Sequence, residues 1–401
     1  MRRLCAPTNF DDALVRPLAE AGAYEAYGKL TEDAVGGGRP SHVLPPVGIR
    51  RLREHVGKLH AAGVKFNYLL NASAMGGVET TGPGYRSIRK LLDLLAEITV
   101  DSVTVSNPVL LQLVKRHYPG IEVKASAFAN VVTVMQARAW ADMGADVITA
   151  SPVVLNRELK ALREMASAVK AGIQVILNNN CIQSCAFYGS HANLHSHSSQ
   201  KGHWSRGYMI DYCLLNCRGA RLANPGLYVR GDWIRPEDQQ VYEDLGVTYF
   251  KVVNRTNPTP TIIERVNAYA AGRFDGNLVD LVEHGKDLRP VEKLPLKARV
   301  RMAFTFVRPR LANPNRLREF GDLALPSSPM VTIDNRALDG FIDFFKTHSC
   351  MGRDCAVCTY CDEIARKVVK VDGQPLDDYR RKYQQALDKY LDGYYFRWGK
   401  Q

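Results

Sequence analysis

Three runs decide the fold: Phe66-Asn-Tyr-Leu-Leu70, Tyr85-Arg-Ser-Ile-Arg-Lys-Leu-Leu-Asp-Leu-Leu-Ala-Glu-Ile98 and Ser102-Val-Thr-Val-Ser106. The outer two are short, β-rich and apolar. The middle one places Ile88, Leu91, Leu92 and Leu95 at spacings of three, one and three, which is one stripe along a helix. A strand, a helix and a second strand in about 25 residues make a parallel unit. Working outward, the same rhythm predicts strands at Arg3–Pro7, Tyr24–Tyr27, Phe66–Leu70, Ser102–Ser106, Glu122–Ala127, Val147–Ala150, Gln174–Leu177 and Tyr249–Val253. Helices are predicted at Leu14–Ala21, Ile49–Ala62, Tyr85–Ile98, Pro108–His117, Val132–Met143, Glu158–Val169 and Thr261–Ala271. Gly144 and Gly172 are read as left-handed helix C-caps. Eight such units predict an α/β fold, a TIM-like (β/α)8 barrel with its site at the carboxyl ends of the strands. An open doubly wound sheet is the alternative, but no dinucleotide-type glycine fingerprint follows the first strand.

Composition narrows the class. The chain has 401 residues, 46% hydrophobic and 23% charged, which excludes a disordered chain and a small disulfide scaffold. No apolar run approaches the roughly 18 residues of a membrane span, so no membrane association is expected. Met1-Arg-Arg-Leu-Cys5 has no apolar run behind it, and Asp11 and Asp12 follow, so a cytoplasmic location is expected rather than a signal peptide. In that reducing compartment, clustered cysteines are read as metal ligands.

The organisation expected is a barrel over 1–285 with a cysteine-rich insertion at 178–235, a basic proline-containing connector at 286–333, and a helical four-cysteine module at 334–401. Within that module helices are predicted at Leu338–Phe345, Asp362–Val369 and Asp377–Tyr395. Residues 286–319 carry ten Lys or Arg. With Pro290, Pro295, Pro309 and Pro314 they read as an extended connector. On an extended segment Arg299, Arg301, Arg308, Arg310, Arg316 and Arg318 would share faces, with Phe304, Phe306 and Phe320 interleaved, a stripe able to follow an RNA backbone. A solvated surface is the plainer alternative.

The nine cysteines divide into two quartets and Cys5, which reads as core. Cys181-Ile-Gln-Ser-Cys185 and Cys213-Leu-Leu-Asn-Cys217 are separated by 27 residues. Both pairs have three residues between cysteines, a spacing that suits a [4Fe–4S] cluster, with zinc as the rival. Cys181 directly follows the seventh strand, which puts this quartet over the barrel mouth. Cys350-Met-Gly-Arg-Asp-Cys355-Ala-Val-Cys358-Thr-Tyr-Cys361 reads as a second [4Fe–4S] cluster or a zinc site. Neither quartet has the radical-SAM spacing. His191, His195 and His197 could each ligate a metal, bind substrate or lie in a solvated loop, and His191 and His197, near the first cysteine pair, are the candidate catalytic proton carriers. Asn71, Asn107, Asn178 and Asn180 at strand ends are candidate substrate-binding residues, joined by Ser73, Ser106, Ser126 and Ser151, although Ser and Asn also serve as caps and turns.

Val103-Thr-Val-Ser-Asn107, Glu122-Val-Lys-Ala-Ser126, Ala145-Asp-Val-Ile-Thr149 and Val175-Ile-Leu-Asn-Asn-Asn-Cys181 resemble successive barrel strands of the collagenase-like peptidase U32 family. The Cys181–Cys217 segment, Trp233-Ile-Arg-Pro-Glu-Asp238 and the tail Cys355-Ala-Val-Cys358-Thr-Tyr-Cys361-Asp-Glu-Ile364 resemble it too. The resemblance implies an iron–sulfur enzyme. Members are oxygen-independent hydroxylases of a quinone precursor, tRNA or ribosomal RNA, several using prephenate as oxygen donor. It also implies Cys181, Cys185, Cys213 and Cys217 as cluster ligands. The family's Glu, aromatic and His-Gly before the first cysteine are replaced here by Leu177-Asn-Asn-Asn180, and the usual first pair is spaced more widely. This departure marks a divergent subgroup acting on a small molecule or a peptide, with RNA as a further substrate class. An electron donor or a paralogous subunit is the expected partner. A peptidase, as the family name says, and an RNA-binding scaffold with structural metal sites are the alternatives. No Ser-His-Asp order, zinc-protease helix motif or nucleophile elbow is found in the sequence.

Overall fold

The computed structural model describes residues 2–282, 296–308, 310–324, 331–371 and 376–397. Eight parallel strands close into a barrel in sequence order. They are β1 (Arg3–Pro7), β2 (Glu25–Gly28), β3 (Lys65–Leu70), β4 (Ser102–Val105), β5 (Glu122–Ala125), β6 (Val147–Thr149), β7 (Gly172–Ile176) and β8 (Val247–Lys251). Closure is made by β1 against β8, with Arg3 beside Tyr249 and Cys5 beside Lys251. β2 and β4 are buried along their whole length, as strands covered by helices on one side and packed side chains on the other must be. The predicted strands and barrel helices lie within a few residues of those observed.

Local chemistry explains the boundaries. Asn107 caps the helix Pro108–His117 by accepting from the Val109 amide, with Pro108 in the first turn. Thr133 and Gln136 form a reciprocal capping box ahead of Val134–Asp142. Gly144 has φ +104°, as a helix terminator needs. Gly172 does not act as a cap. It opens β7, where a Cβ would stand 2.6 Å from the Tyr249 ring.

Beyond the barrel the structure corrects the sequence reading. The connector is helical where described, with helices Leu296–Phe306 and Pro314–Ala324. Pro314 opens its helix rather than holding the chain extended, because a proline at the first turn gives up an amide that has no intrahelical partner. Residues 283–295, 309 and 325–330 lie outside the described residues. Leu338–Phe345 is not one helix. Gly340 at φ +79° separates the turns Arg336–Leu338 and Phe341–Asp343, and Phe344–Thr347 follows. The tail also holds a short antiparallel pair, β9 (Val331–Ile333) with β10 (Val369–Val371). Leu338, Phe341, Phe345 and Val368 belong to the same apolar cluster as the barrel core. The last long helix, Leu376–Leu391, packs through Tyr383 and Ala386 on Leu215 and Leu222 of the insertion.

Inside the barrel Lys124 and Glu25 form an ion pair with side chains 1% and 3% exposed. Ser102 Oγ donates to the same carboxylate at 3.4 Å. Removing one member strands the other in a dry core. Glu25→Ala should therefore cost on the order of 3–5 kcal/mol in chemical denaturation, and Glu25→Leu with Lys124→Met should recover most of it. A single-variant loss under about 1 kcal/mol would contradict this assignment.

Candidate active site at the barrel mouth

The carboxyl ends of β2 and β8 bring cations to one rim. Lys29, just past β2, pairs with Asp33 at 2.8 Å, both side chains fully buried. Tyr68 on β3 donates to the same carboxylate oxygen, at 2.7 Å from Asp33 Oδ2. Lys251 ends β8 with its Nζ 4.0 Å from the Tyr27 ring centroid, and burial pushes its ammonium down to about 8. Arg255 is 4% exposed and its Nη2 has no hydrogen-bond partner. Burial, and next the charge of Arg39, lower the Arg255 guanidinium to about 10. Arg39 donates through Nε to Asn254 at 3.1 Å and lies within electrostatic reach of Cys181 and Asp211. Four cations thus share the rim, where Asp33 pairs directly with Lys29, and a buried guanidinium nitrogen without an acceptor is a receptor for an anion.

The first quartet stands over this rim. Cys181 follows β7, and Asp232 fixes it by accepting from its amide at 2.8 Å while the Asn179 amide donates to the other carboxylate oxygen at 2.6 Å. Burial pushes Asp232 up to about 6 against those two hydrogen bonds. Cys213 and Cys217 sit four residues apart on the helix Tyr212–Ala223, hence on one face. Cys217 acts electrostatically on Cys181, Cys185 and Cys213. Burial raises all three of those thiols, Cys213 to about 12. All nine cysteines are free thiols. Tetrahedral zinc would hold its four sulfurs about 3.8 Å apart, given Zn–S distances of about 2.3 Å. Among the described residues neither quartet has three sulfurs within 4.8 Å of one another. Four soft thiol donors could hold an iron–sulfur cube or a zinc ion, with Arg39 and Arg221 nearby to offset the negative charge of their thiolates.

The second quartet docks beside the first. Glu158 accepts from the Cys350 amide at 2.6 Å, the Met351 amide at 3.0 Å and Ser349 Oγ at 2.6 Å. The Cys350 thiol is hydrogen-bonded with Gln183, which lies between Cys181 and Cys185 in the chain. Arg230 pairs with Asp362 to hold the helix Tyr360–Val368 against the insertion. Arg157, 2% exposed, lies over Trp233 at 4.7 Å and Phe341 at 4.9 Å, with Nη1 and Nη2 lacking hydrogen-bond partners. Its charge acts on Cys350 and Cys361. A buried, unpaired cation beside thiols is compensated when those thiols are thiolates on a metal. Cys355 is exposed and Cys358 half-buried in the turn Cys355–Cys358.

The remaining candidates separate. His191 and His195 lie one turn apart on the helix Tyr188–His197 and meet Asp211, the N-cap of Tyr212–Ala223. His197 points elsewhere and stacks on His203 with ring centroids 4.7 Å apart. Six residues along a helix rotate a side chain by about 240°, four by about 40°. The i, i+4 spacing of His191 and His195 was therefore the usable signal. Asn107 is spent as a helix cap and on Glu79 at 3.0 Å. Asn178 ties backbone on both ends of its amide, donating to Val253 and to Leu281 at 2.9 Å and accepting from the Val253 amide at 2.6 Å. Asn71 and Asn180 each keep a buried side-chain oxygen without a partner. Ser73 Oγ donates to Asn193 at 2.8 Å and so joins the rim to the histidine helix. A cavity of about 490 Å³ opens here, lined by Ser73, Asn130, Cys185, Tyr188 and Asn193 among others.

Arg316 and Arg318 do not share a face as on an extended segment, because they lie on the helix Pro314–Ala324 and residues two apart on a helix point to opposite sides. Arg308 donates to the Ser205 and Arg206 carbonyls, and Arg316 donates to the Tyr394 carbonyl at 2.8 Å. The side chains of Arg299, Arg301 and Phe320 lie outside the described ones. The structure also contains a hydroxyl–imidazole–carboxylate chain that no motif signalled. Thr8 Oγ1 is 2.8 Å from His55 Nε2, and His55 Nδ1 is 3.0 Å from Asp12. Thr8 and His55 are 1% and 0% exposed, and Thr8 Oγ1 already accepts from the Phe10 amide. No helix among the described residues is long and apolar enough to cross a membrane.

The family model for peptidase family U32 matches residues 47–271. The chain is 29% identical over 349 residues to the uncharacterized protease MJ1657 of Methanocaldococcus jannaschii, covering 87% of this chain and 90% of that one. Among solved structures it is similar to the U32 peptidase Mk0906, with 22% identity and a TM-score of 0.47 over 63% of this chain and 93% of the other. It is also similar to phosphoribosyl anthranilate isomerase from Thermus thermophilus, with 12% identity and a TM-score of 0.37 over 68% and 98%. With strands β3 to β8 and more than half its length matched by that model, the chain belongs to peptidase family U32.

Proposed function

We propose that this chain is an iron–sulfur enzyme that carries out an oxygen-independent hydroxylation or a related redox modification, with a carboxylated, prephenate-like oxygen donor held at the barrel mouth. The carrying observation is the juxtaposition of the Cys181, Cys185, Cys213 and Cys217 quartet with the buried cations Lys29 and Arg255 and the half-buried Arg39 and Lys251. A [4Fe–4S] cluster on those cysteines would supply one-electron chemistry. The protein's own part is to bind and orient. Arg255 Nη2 and Arg39 offer guanidinium donors to a carboxylate, and Lys251 adds a charge that titrates near neutrality. The cavity beside Cys185 accommodates a small molecule or a peptide side chain. Cys350, Cys355, Cys358 and Cys361 would hold a second metal centre, iron–sulfur or zinc, beside the unpaired Arg157.

The peptidase reading has one observation in its favour, the Thr8–His55–Asp12 chain. Burial of the hydroxyl under Phe10 leaves a peptide carbonyl no approach to it, and a nucleophile must reach its substrate before its basicity matters. The network reads as structural cement between β1 and the helix Ile49–Ala61.

Two measurements test the proposal. Protein purified without air should contain about four iron and four sulfide per occupied cube, and Cys217→Ala should lower that content by about one cube. Zinc at both quartets with no iron would overturn the reading. Binding of a small dicarboxylate, followed by calorimetry, should weaken several-fold as pH rises from 7 to 9. Lys251 is charged below about 8 and neutral above it, so the anion loses a partner as the ammonium deprotonates. Lys251→Met should weaken binding at pH 7 by about tenfold and flatten the dependence. Unchanged binding in that variant would remove Lys251 from the site.

A further inference from the structure

His191, expected from the sequence to carry protons, stands in a more specific arrangement. Its Nε2 lies 2.7 Å from His195 Nε2 and 3.1 Å from Asp211 Oδ1, with Oδ2 at 3.2 Å. His195 Nε2 lies 3.9 Å from Asp211 Oδ2. Among the described residues this is the group of three His, Cys, Asp or Glu ligand atoms that converge within 4.8 Å of one another. A ring nitrogen has one site, either a lone pair or a proton. His191 Nε2 cannot accept from His195 and donate to Asp211 at the same time. Hydrogen bonding therefore leaves one of these short contacts unmet unless one proton is shared between both neighbours.

A cation at the centre meets all three. Ligand atoms bound at about 2.1 Å stand about 3.0–3.4 Å apart in octahedral or tetrahedral geometry, and the observed contacts scatter about that range. The elements are built for it. His191 and His195 share one helix face, and Asp211 is fixed by accepting from the Leu214 amide at 2.9 Å. His195 is 8% exposed, so packing holds its ring beside His191 and Asp211.

We infer that His191, His195 and Asp211 form a mononuclear site for a divalent transition metal, separate from both cysteine quartets. Two imidazoles and one carboxylate on one side leave coordination positions open for water or a substrate oxygen. The ligand class is a borderline cation such as Fe(II), Co(II) or Zn(II), because imidazole suits these better than Mg(II) or Ca(II). Asp211 stands two residues before Cys213 and within the electrostatic reach of Arg39, so the ion would border the cationic mouth. This assignment does not depend on what the cysteines bind.

The test uses the full chain purified without air and dialysed against a chelator to empty the open-sided site, its remaining iron, sulfide and zinc measured and the protein then titrated with Co(II). The expected result is one further equivalent bound, with weak d–d absorption and no thiolate-to-cobalt charge-transfer band. His191→Gln and Asp211→Asn should each weaken that uptake at least about tenfold while leaving the iron, sulfide and zinc contents unchanged. Asn keeps the helix-capping acceptor, so the Asp211 variant retains its fold. No further uptake, uptake with thiolate bands, or uptake equal in both variants would overturn the site and leave the shared proton as the arrangement. Zinc in place of iron at the quartets would count against the redox reading alone.

Discussion

Eight parallel strands satisfy their backbone amides without an open edge only by closing on themselves, and closure delivers all eight carboxyl ends to one rim. Everything chemical in this chain depends on that constraint. Lys29 follows β2, Asn71 follows β3, Cys181 follows β7 and Arg255 follows β8, positions up to 226 residues apart (255 − 29). The insertion after β7 then folds back over the rim with two helices, one carrying His191 and His195, the other Cys213 and Cys217. The tail closes on the same side, because Glu158 gathers the amides around Cys350.

Charge is distributed to suit anions at this end of the molecule. The interior of the barrel balances Lys124 with Glu25, a closed account between opposite charges. The rim does not balance. Arg255 and Arg157 keep buried guanidinium nitrogens without hydrogen-bond partners, one facing the mouth and the other the second quartet. A folded protein tolerates such groups where something negative completes them. Under the proposed function, thiolates on a metal would complete Arg157 and a carboxylated ligand would complete Arg255.

Much of the barrel was legible in the sequence, because a period-2 strand followed by a 3.6-period helix is a local signal. The cysteine quartets were legible as spacing. What escaped was every interaction set by tertiary contact. Lys29, Arg39 and Arg255 look like surface residues until burial is known. Asp232, which fixes Cys181, lies 51 residues further along the chain. The Thr8–His55–Asp12 chain joins a strand end to the next helix without any motif. The connector's prolines suggest an extended chain, although a proline that opens a helix, as Pro314 does, looks the same in sequence. Helical phase, rather than nearness to the cysteines, is what brings His195 beside His191 and turns His197 toward His203.

The central claim is that the cysteine quartet at β7 and the cationic mouth are one site. Electron paramagnetic resonance of the anaerobically purified, dithionite-reduced chain, recorded with and without prephenate, tests it most directly. The account predicts a reduced-cluster signal whose g values move when the dicarboxylate is added, and which Arg255→Met makes insensitive to it. A cluster signal that the dicarboxylate leaves untouched, or a reduced protein with no iron signal, would contradict it.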